Sequence, residues 1–374
     1  MYDRLWTIAR NRFIRYYVGA YHLRCQRGSD GGPAKLMRFH GLMLLRDEED
    51  IIDECLRHLL SWCDALYIYD LGSTDSTWSI VQEHARRDSR IIPAISQPTV
   101  YHENLRAVLF DRFRDRFESG DWIMKIDADE FYETTPPDFV RQRLSRGESA
   151  VFLQWYFFRL TDREVTEYER GKDIQEDRKN PIALRRRFYT ISKYSEPRMF
   201  RYRRTMKWPE TTAWPFNRGV TARHRIPIRH YPHRDPLQME RRYRLRHGMM
   251  KLIPGPGPIH WDILDWRQDV FSIDSKNLVK TREGMNSVEG LAGDTLHEWR
   301  PGESLPEVDF TNHLPPLYKR WMHRIAARTI LPLLDGTRPD YSKTFQPQLI
   351  SDEVNRQIGG AGNVPLAAGM MKTV

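Results

Sequence analysis

Tyr67-Ile68-Tyr69-Asp70-Leu71-Gly72-Ser73-Thr74-Asp75-Ser76-Thr77 runs from an apolar strand into the start of a helix across one tight turn. Ala65 to Tyr69 reads as a buried strand. Gly72 lets the chain turn sharply, and Ser73 or Thr74 can cap a helix carrying Thr77, Trp78, Ile80, Val81 and Ala85. The same pattern lies on either side. Leu42-Met43-Leu44-Leu45 is a continuous apolar run, followed from Asp50 to Leu60 by Ile51, Ile52, Cys55, Leu56, Leu59 and Leu60 at helical spacing. Ile91 to Ile95 is a third short strand. Leu105, Leu109, Phe113 and Phe117 mark a helix, and Trp122 to Ile126 is a fourth strand. Strands alternating with helices predict an α/β fold, Rossmann-like, with a mostly parallel sheet and helices on both faces.

Such sheets bind ligands beyond the carboxyl ends of their strands. That edge should carry Arg46-Asp47-Glu48, Asp70 and Asp127-Ala128-Asp129, each directly after a strand. In extended backbone, residues two apart share a face. Asp127 and Asp129 could then reach one hard cation, Mg²⁺ or Mn²⁺, which also takes phosphate oxygens. A solvated turn is the plainer reading of Asp-x-Asp. Asp70 suits a ribose or base N–H, whereas Asp75 suits the positive end of its own helix. Arg46 and Glu48 can face a diphosphate and a nucleoside, or equally form an acidic first helical turn. Further on, Arg229-His230-Tyr231-Pro232-His233-Arg234 is the densest basic stretch. Arg229 is a candidate phosphate contact and His230 a third metal ligand, against a solvated basic face. A general base is also needed, and Glu210 in an aromatic, proline-rich segment is the candidate, with Asp162 and Asp235 competing.

Three of these elements, in this order, resemble the family 2 glycosyltransferases of the GT-A fold. Leu42 to Ile52 is similar to the family's opening strand and Arg-Asn-Glu-type turn, with Asp47 where Asn is usual. Tyr67 to Thr77 resembles its Asp-x-Gly-Ser-Thr-Asp-x-Thr element, in which the carboxylate at the place of Asp70 contacts the nucleoside. Trp122 to Phe131 resembles its Asp-x-Asp segment, whose carboxylates bind metal, diphosphate and ribose. Arg225 to Pro236 resembles a segment of uncharacterised bacterial members. The resemblance implies an inverting transfer from a nucleoside-diphosphate sugar to an acceptor hydroxyl, with a divalent metal.

The 374 residues are 40% hydrophobic, enough for one large core, or for one core and a small subdomain. A formal net charge of +9 favours anionic partners. A nucleic-acid or polyanion binder would leave the acidic strand ends unexplained, and a sugar nucleotidyltransferase would want a glycine-rich loop after the first strand. The sequence reading therefore expects a nucleotide-sugar donor and a saccharide or lipid-linked acceptor, and no nucleic acid. Cys25, Cys55 and Cys63 form neither a disulfide framework nor a zinc spacing, which fits a cytoplasmic protein. No apolar stretch reaches the roughly 18 residues of a membrane span. The expected organisation is a basic, aromatic N-terminal extension over 1–35, a catalytic domain over 36–250 and a helical or irregular C-terminal extension over 251–374. Within the catalytic domain, 36–135 bind the nucleotide sugar and 136–250 the acceptor. The N-terminal extension can pack on the domain with its arginines solvated, or lie on the inner face of an anionic membrane.

Overall fold

A computed structural model of the chain describes residues 37–145, 147–209, 212–216, 218–252, 261, 265–274, 295–308 and 347–359. The N-terminal extension, Glu210 and much of 251–374 lie outside them. The strands are β1 (Phe39–Leu45), β2 (Ala65–Asp70), β3 (Ile91–Ser96), β4 (Trp122–Asp127), β5 (Glu130–Tyr132), β6 (Glu148–Arg159), β7 (Phe188–Ile191), β8 (Pro197–Arg201), β9 (Val220–Thr221), β10 (Ile226–His230) and β11 (His297–Glu298). The helices are α1 (Ile52–Leu60), α2 (Thr77–Arg87), α3 (Leu105–Phe113), α4 (Pro136–Arg143), α5 (Asp162–Glu169), α6 (Ile174–Arg178), α7 (Ile182–Arg185), α8 (Pro236–Met250) and α9 (Asp352–Gly359).

The first half follows the sequence reading. β4, β1, β2 and β3 lie side by side and parallel. Alternation along β1 sorts its side chains into two cores. Met43 and Leu45 pack with Ile52, Cys55 and Leu56 of α1, while Leu42 and Leu44 pack with Leu105, Leu109 and Phe110 of α3. Helices therefore cover both faces, as a parallel sheet requires. Cys55 and Cys63 are buried thiols within the first of these cores.

The expectation of a mostly parallel sheet does not extend to the second half. β8 enters between β4 and β6 and runs antiparallel to both. β7 and β11 continue antiparallel beyond β6. β10 runs parallel to β6 but antiparallel to β5, so the sheet is mixed. Antiparallel strands need no crossover helix, and the sequence from Met199 to Arg234 correspondingly lacks a helical repeat. No helix among the described residues is long and apolar enough to cross a membrane.

Candidate active site

The turns after β1 and β2 are stitched together by side chains. Asp47 adopts a positive φ of 54°, tolerable for Asp. Its Oδ1 accepts from the Thr74 amide at 2.6 Å, and its own amide donates to Ser73 Oγ at 3.0 Å. The Glu48 amide donates to Thr77 Oγ1 at 2.7 Å, and the Glu49 amide to Asp75 Oδ2 at 3.2 Å. Asp75 also accepts from the Thr77 amide at the start of α2. Gly72 has φ +87°, and a Cβ there would lie 2.7 Å from the Pro98 backbone, so only glycine fits.

Asp70, 1% exposed, is turned inward. It accepts from the Ser73 amide (3.0 Å), Ser73 Oγ (2.5 Å) and Ser96 Oγ (2.7 Å). Burial pushes its carboxyl above the usual range against those hydrogen bonds. It fixes the turn that presents Arg46, whose guanidinium donates to the Leu71 carbonyl at 3.2 Å.

Asp127 and Asp129 part company because Ala128 and Asp129 form a turn between β4 and β5, not extended backbone. The same-face argument fails there. Asp127 bonds with Arg106 of α3 and, at 2.6 Å, with Arg198 of β8. Asp129 turns toward β10 and α8. Its Oδ2 lies 3.3 Å from His230 Nε2, 3.1 Å from Arg242 Nη1 and 3.9 Å from Arg234 Nη1. Burial disfavours its charge, but His230, Arg242 and Arg234 outweigh that and hold its carboxyl well below the usual range.

Arg234, fully buried, ties the edge together. It grips Asp50 with Nε and Nη2 at 2.6 and 2.9 Å, and its Nη2 also reaches Glu48. The Glu48 carboxyl is pushed up to about 7, first by burial and then by the neighbouring Asp129 and Asp50, with Arg234 opposing. Acids from the ends of β1 and β4 thus meet arginines of the β10–α8 connection and α8, and a hollow lies beside Glu48, Asp50 and Arg242. Arg46, Glu48, Asp50, Arg241 and Arg242 line it, and its volume is about 30 Å³.

His230 lies beside Asp129; Arg229 does not join them. Consecutive residues of β10 face opposite sides, so Arg229 pairs with Glu133 at 2.9 Å and stacks over Trp299. Asp235 is fully buried, caps α8 and pairs with Arg178 at 2.9 Å; Asp162 begins α5 and accepts from the Ile273 amide. Neither stands in the hollow. Arg106, Arg198 and Arg242 were not picked out from sequence. Arg106 adjoins the apolar stripe of α3 and Arg198 alternates with Met199 in β8, so a charge beside core positions was the available signal. Arg242 is one of several arginines along α8, with nothing to single it out.

A divalent ion does not fit this arrangement as it stands. Asp127 and Asp129 face different arginines, and among the described residues no three His, Cys, Asp or Glu side chains are gathered to hold a metal.

No protein-family model matches the chain, and no curated protein matches it. Among solved structures it is similar to the mannosyltransferase PcManGT from Pyrobaculum calidifontis, solved in complex with GDP-Man and Mn²⁺. The identity is 12% and the TM-score 0.33, over 62% of this chain and 69% of that one.

Proposed function

We propose that this chain is an inverting glycosyltransferase that takes a sugar from a nucleoside-diphosphate donor to the hydroxyl of a saccharide or lipid-linked acceptor. One observation carries the reading: the acids after β1 and β4 meet Arg234 and Arg242 at the carboxyl edge of the parallel strands. Carboxylates suit sugar and ribose hydroxyls. Arginines suit a diphosphate, whose oxygens a guanidinium fork matches. A nucleic-acid binder would need arginines directed outward, whereas Arg234 and Arg242 are turned onto carboxylates.

In the proposed step the acceptor oxygen attacks the sugar's anomeric carbon from the face opposite the diphosphate. The new C–O bond forms as the C–O bond to phosphate breaks, and a carboxylate takes the hydroxyl proton. Charge growing on the departing phosphate is met by Arg241 and Arg242 at the rim of the hollow. For the base, Glu210 is the sequence candidate and lies outside the described residues. Within the hollow, Glu48 has a proton affinity suited to neutral pH.

The Mn²⁺ or Mg²⁺ expected on Asp127, Asp129 and His230 is part of the same test. Arginine pairing of both aspartates favours nucleotide binding that survives chelation. Calorimetry of nucleoside diphosphates with Mn²⁺, Mg²⁺ or a chelator should find one nucleotide bound in all three conditions. NMR of the product should then show the inverted anomer. Absence of nucleotide binding in every condition refutes the donor reading; binding only with a metal restores the metal to the site. Glu210→Gln and Glu48→Gln, assayed side by side, assign the base to whichever loses transfer while keeping donor affinity.

A further inference from the structure

A late segment of the chain packs against the turn that follows β2 and against Arg46. Residues 347–359 lie across the loops that follow β2 and β3. The Val100 amide donates to the Gln348 carbonyl and the Ile350 amide to the Pro98 carbonyl, both at 2.9 Å, around an antiparallel bridge between Thr99 and Leu349. The chain then turns into α9. Asn355, 7% exposed, donates from Nδ2 to the Gly72 carbonyl at 3.0 Å and accepts from Arg46 Nη2 at 2.6 Å. Val354 and Ile358 pack with Leu245 and Met249 of α8. Gly248 makes this approach feasible, since a Cβ there would sit 2.7 Å from Ile358 Cγ2.

These partners are the site's own. Arg46 and the Asp70–Gly72 turn stand at the carboxyl edge where a nucleoside would bind, and Asn355 bonds Arg46 Nη2 and the Gly72 carbonyl. The hollow beside them measures about 30 Å³. Pockets for small ligands run to roughly 300–1,000 Å³, and while α9 stays in place the Gly72 carbonyl and Arg46 Nη2 are covered by Asn355. The attachment itself is slight. One bridge with its two amide contacts, the bonds of Asn355 and Gln348 and a few apolar side chains hold an eight-residue helix that would barely persist alone.

We propose that residues 347–359 are an autoinhibitory strap that occupies the nucleoside end of the donor site and must leave before a nucleotide enters. This rests on the donor reading above and adds the regulation of that site. Asn355 mimics a ligand by bonding the groups a nucleotide would use. If the open form is a minority of roughly one molecule in ten, apparent donor affinity falls about tenfold. Whatever draws the strap away, such as an acceptor or a partner surface gripping α9, would switch the enzyme on.

Three measurements test it. In the full chain, hydrogen exchange at the Val100 and Ile350 amides should quicken when the preferred nucleoside diphosphate is added; unchanged or slower exchange overturns displacement. Asn355→Ala, which leaves the apolar contacts of α9 intact, should bind that nucleotide severalfold more tightly. A chain ending at residue 346 should bind it about tenfold more tightly, and equal or weaker binding by both variants overturns the strap. Should the truncated chain fail to fold, the exchange result and Asn355→Ala still decide. If neither the full chain nor Asn355→Ala binds any nucleoside diphosphate, the donor reading fails. Equal binding by both, with no exchange change, refutes the strap alone.

Discussion

The two ends of the parallel strands use carboxylates in opposite ways. At the amino end, Asp121 accepts from the Arg38 and Glu118 amides at 3.3 and 2.9 Å and lies 3.1 Å from His40 Nε2. Asp64 accepts from the Phe39 amide at 2.7 Å. These acids satisfy backbone donors, and Asp121 also pairs with the Arg38 guanidinium at 2.9 Å. At the carboxyl end, Glu48, Asp50, Asp127 and Asp129 meet Arg198, Arg234 and Arg242, and Glu48 is left with a raised proton affinity. Partner geometry is complete at one end. At the other, opposite charges are crowded beside a hollow, an arrangement stable enough to persist and ready to exchange partners with a charged ligand.

The largest effects should come from breaking the carboxyl end. Asp129→Asn keeps the shape but removes the charge that His230 and Arg242 face. Under the transfer reading it should lower turnover by about a thousandfold, roughly 4 kcal/mol of barrier, whereas Asp121→Asn should leave turnover within about twofold. Equal losses in the two variants would erase the distinction between the ends. Arg234→Met should be the costliest change for folding. It strands Glu48 and Asp50 as buried charges, and losing one partner of a buried pair typically costs about 3–5 kcal/mol. Chemical denaturation would measure this; a loss under about 1 kcal/mol would mean that the cluster is solvated.

Falling and rising pH should separate Asp121 from Glu48 by sign. The Asp121 carboxyl is disfavoured by burial, but His40, the Glu118 amide and Arg38 outweigh that and bring it down to about 2. A depressed carboxyl adds stability above its unfolded pKa near 4 and loses it as pH falls toward 2, a change of about 2 kcal/mol. Glu48, raised to about 7, behaves oppositely: its contribution is present below about 4.5 and declines as pH rises through 7. Denaturation from pH 2 to 8 should therefore show Asp121→Asn flattening the acid limb and Glu48→Gln flattening the decline toward neutrality. If both variants alter the same limb, the opposition between these two carboxyls is wrong.

What was legible in the sequence divides along similar lines. The four parallel strands and their helices could be read because period-2 and period-3.6 apolar patterns report burial directly; Leu42 and Leu44 against Met43 and Leu45 are the clearest case. The strand-end positions of Asp127 and Asp129 followed from that. Their partners did not, because a single turn at Ala128 cancels the rule that residues two apart share a face. The same alternation, unbroken in β10, sends Arg229 away from His230. Arg106 and Arg198 escaped notice because pairing across α3, β4 and β8 is a property of topology, and β8 joins the sheet antiparallel without a periodic signal of its own. Asn355 lies hundreds of residues from Gly72, and no local pattern foretells that contact.

The smallest effect sharpens the account of the amino end. Asp64 takes the Phe39 amide at 2.7 Å, and its own amide donates to the Phe39 carbonyl at 2.9 Å, so it clips the start of β1 to the residue just before β2. Asn at this position retains a carbonyl oxygen that can accept the same amide and loses only the extra strength that charge gives the bond. A charge-assisted hydrogen bond contributes about 1.5–3 kcal/mol and a neutral one about 1. Asp64→Asn should therefore cost about 1 kcal/mol and Asp64→Ala about twice that, with turnover unchanged in both. An equal cost for the two would mean that charge, not the accepting oxygen, holds the clip, and the amino end would then resemble the carboxyl end more closely than its geometry implies.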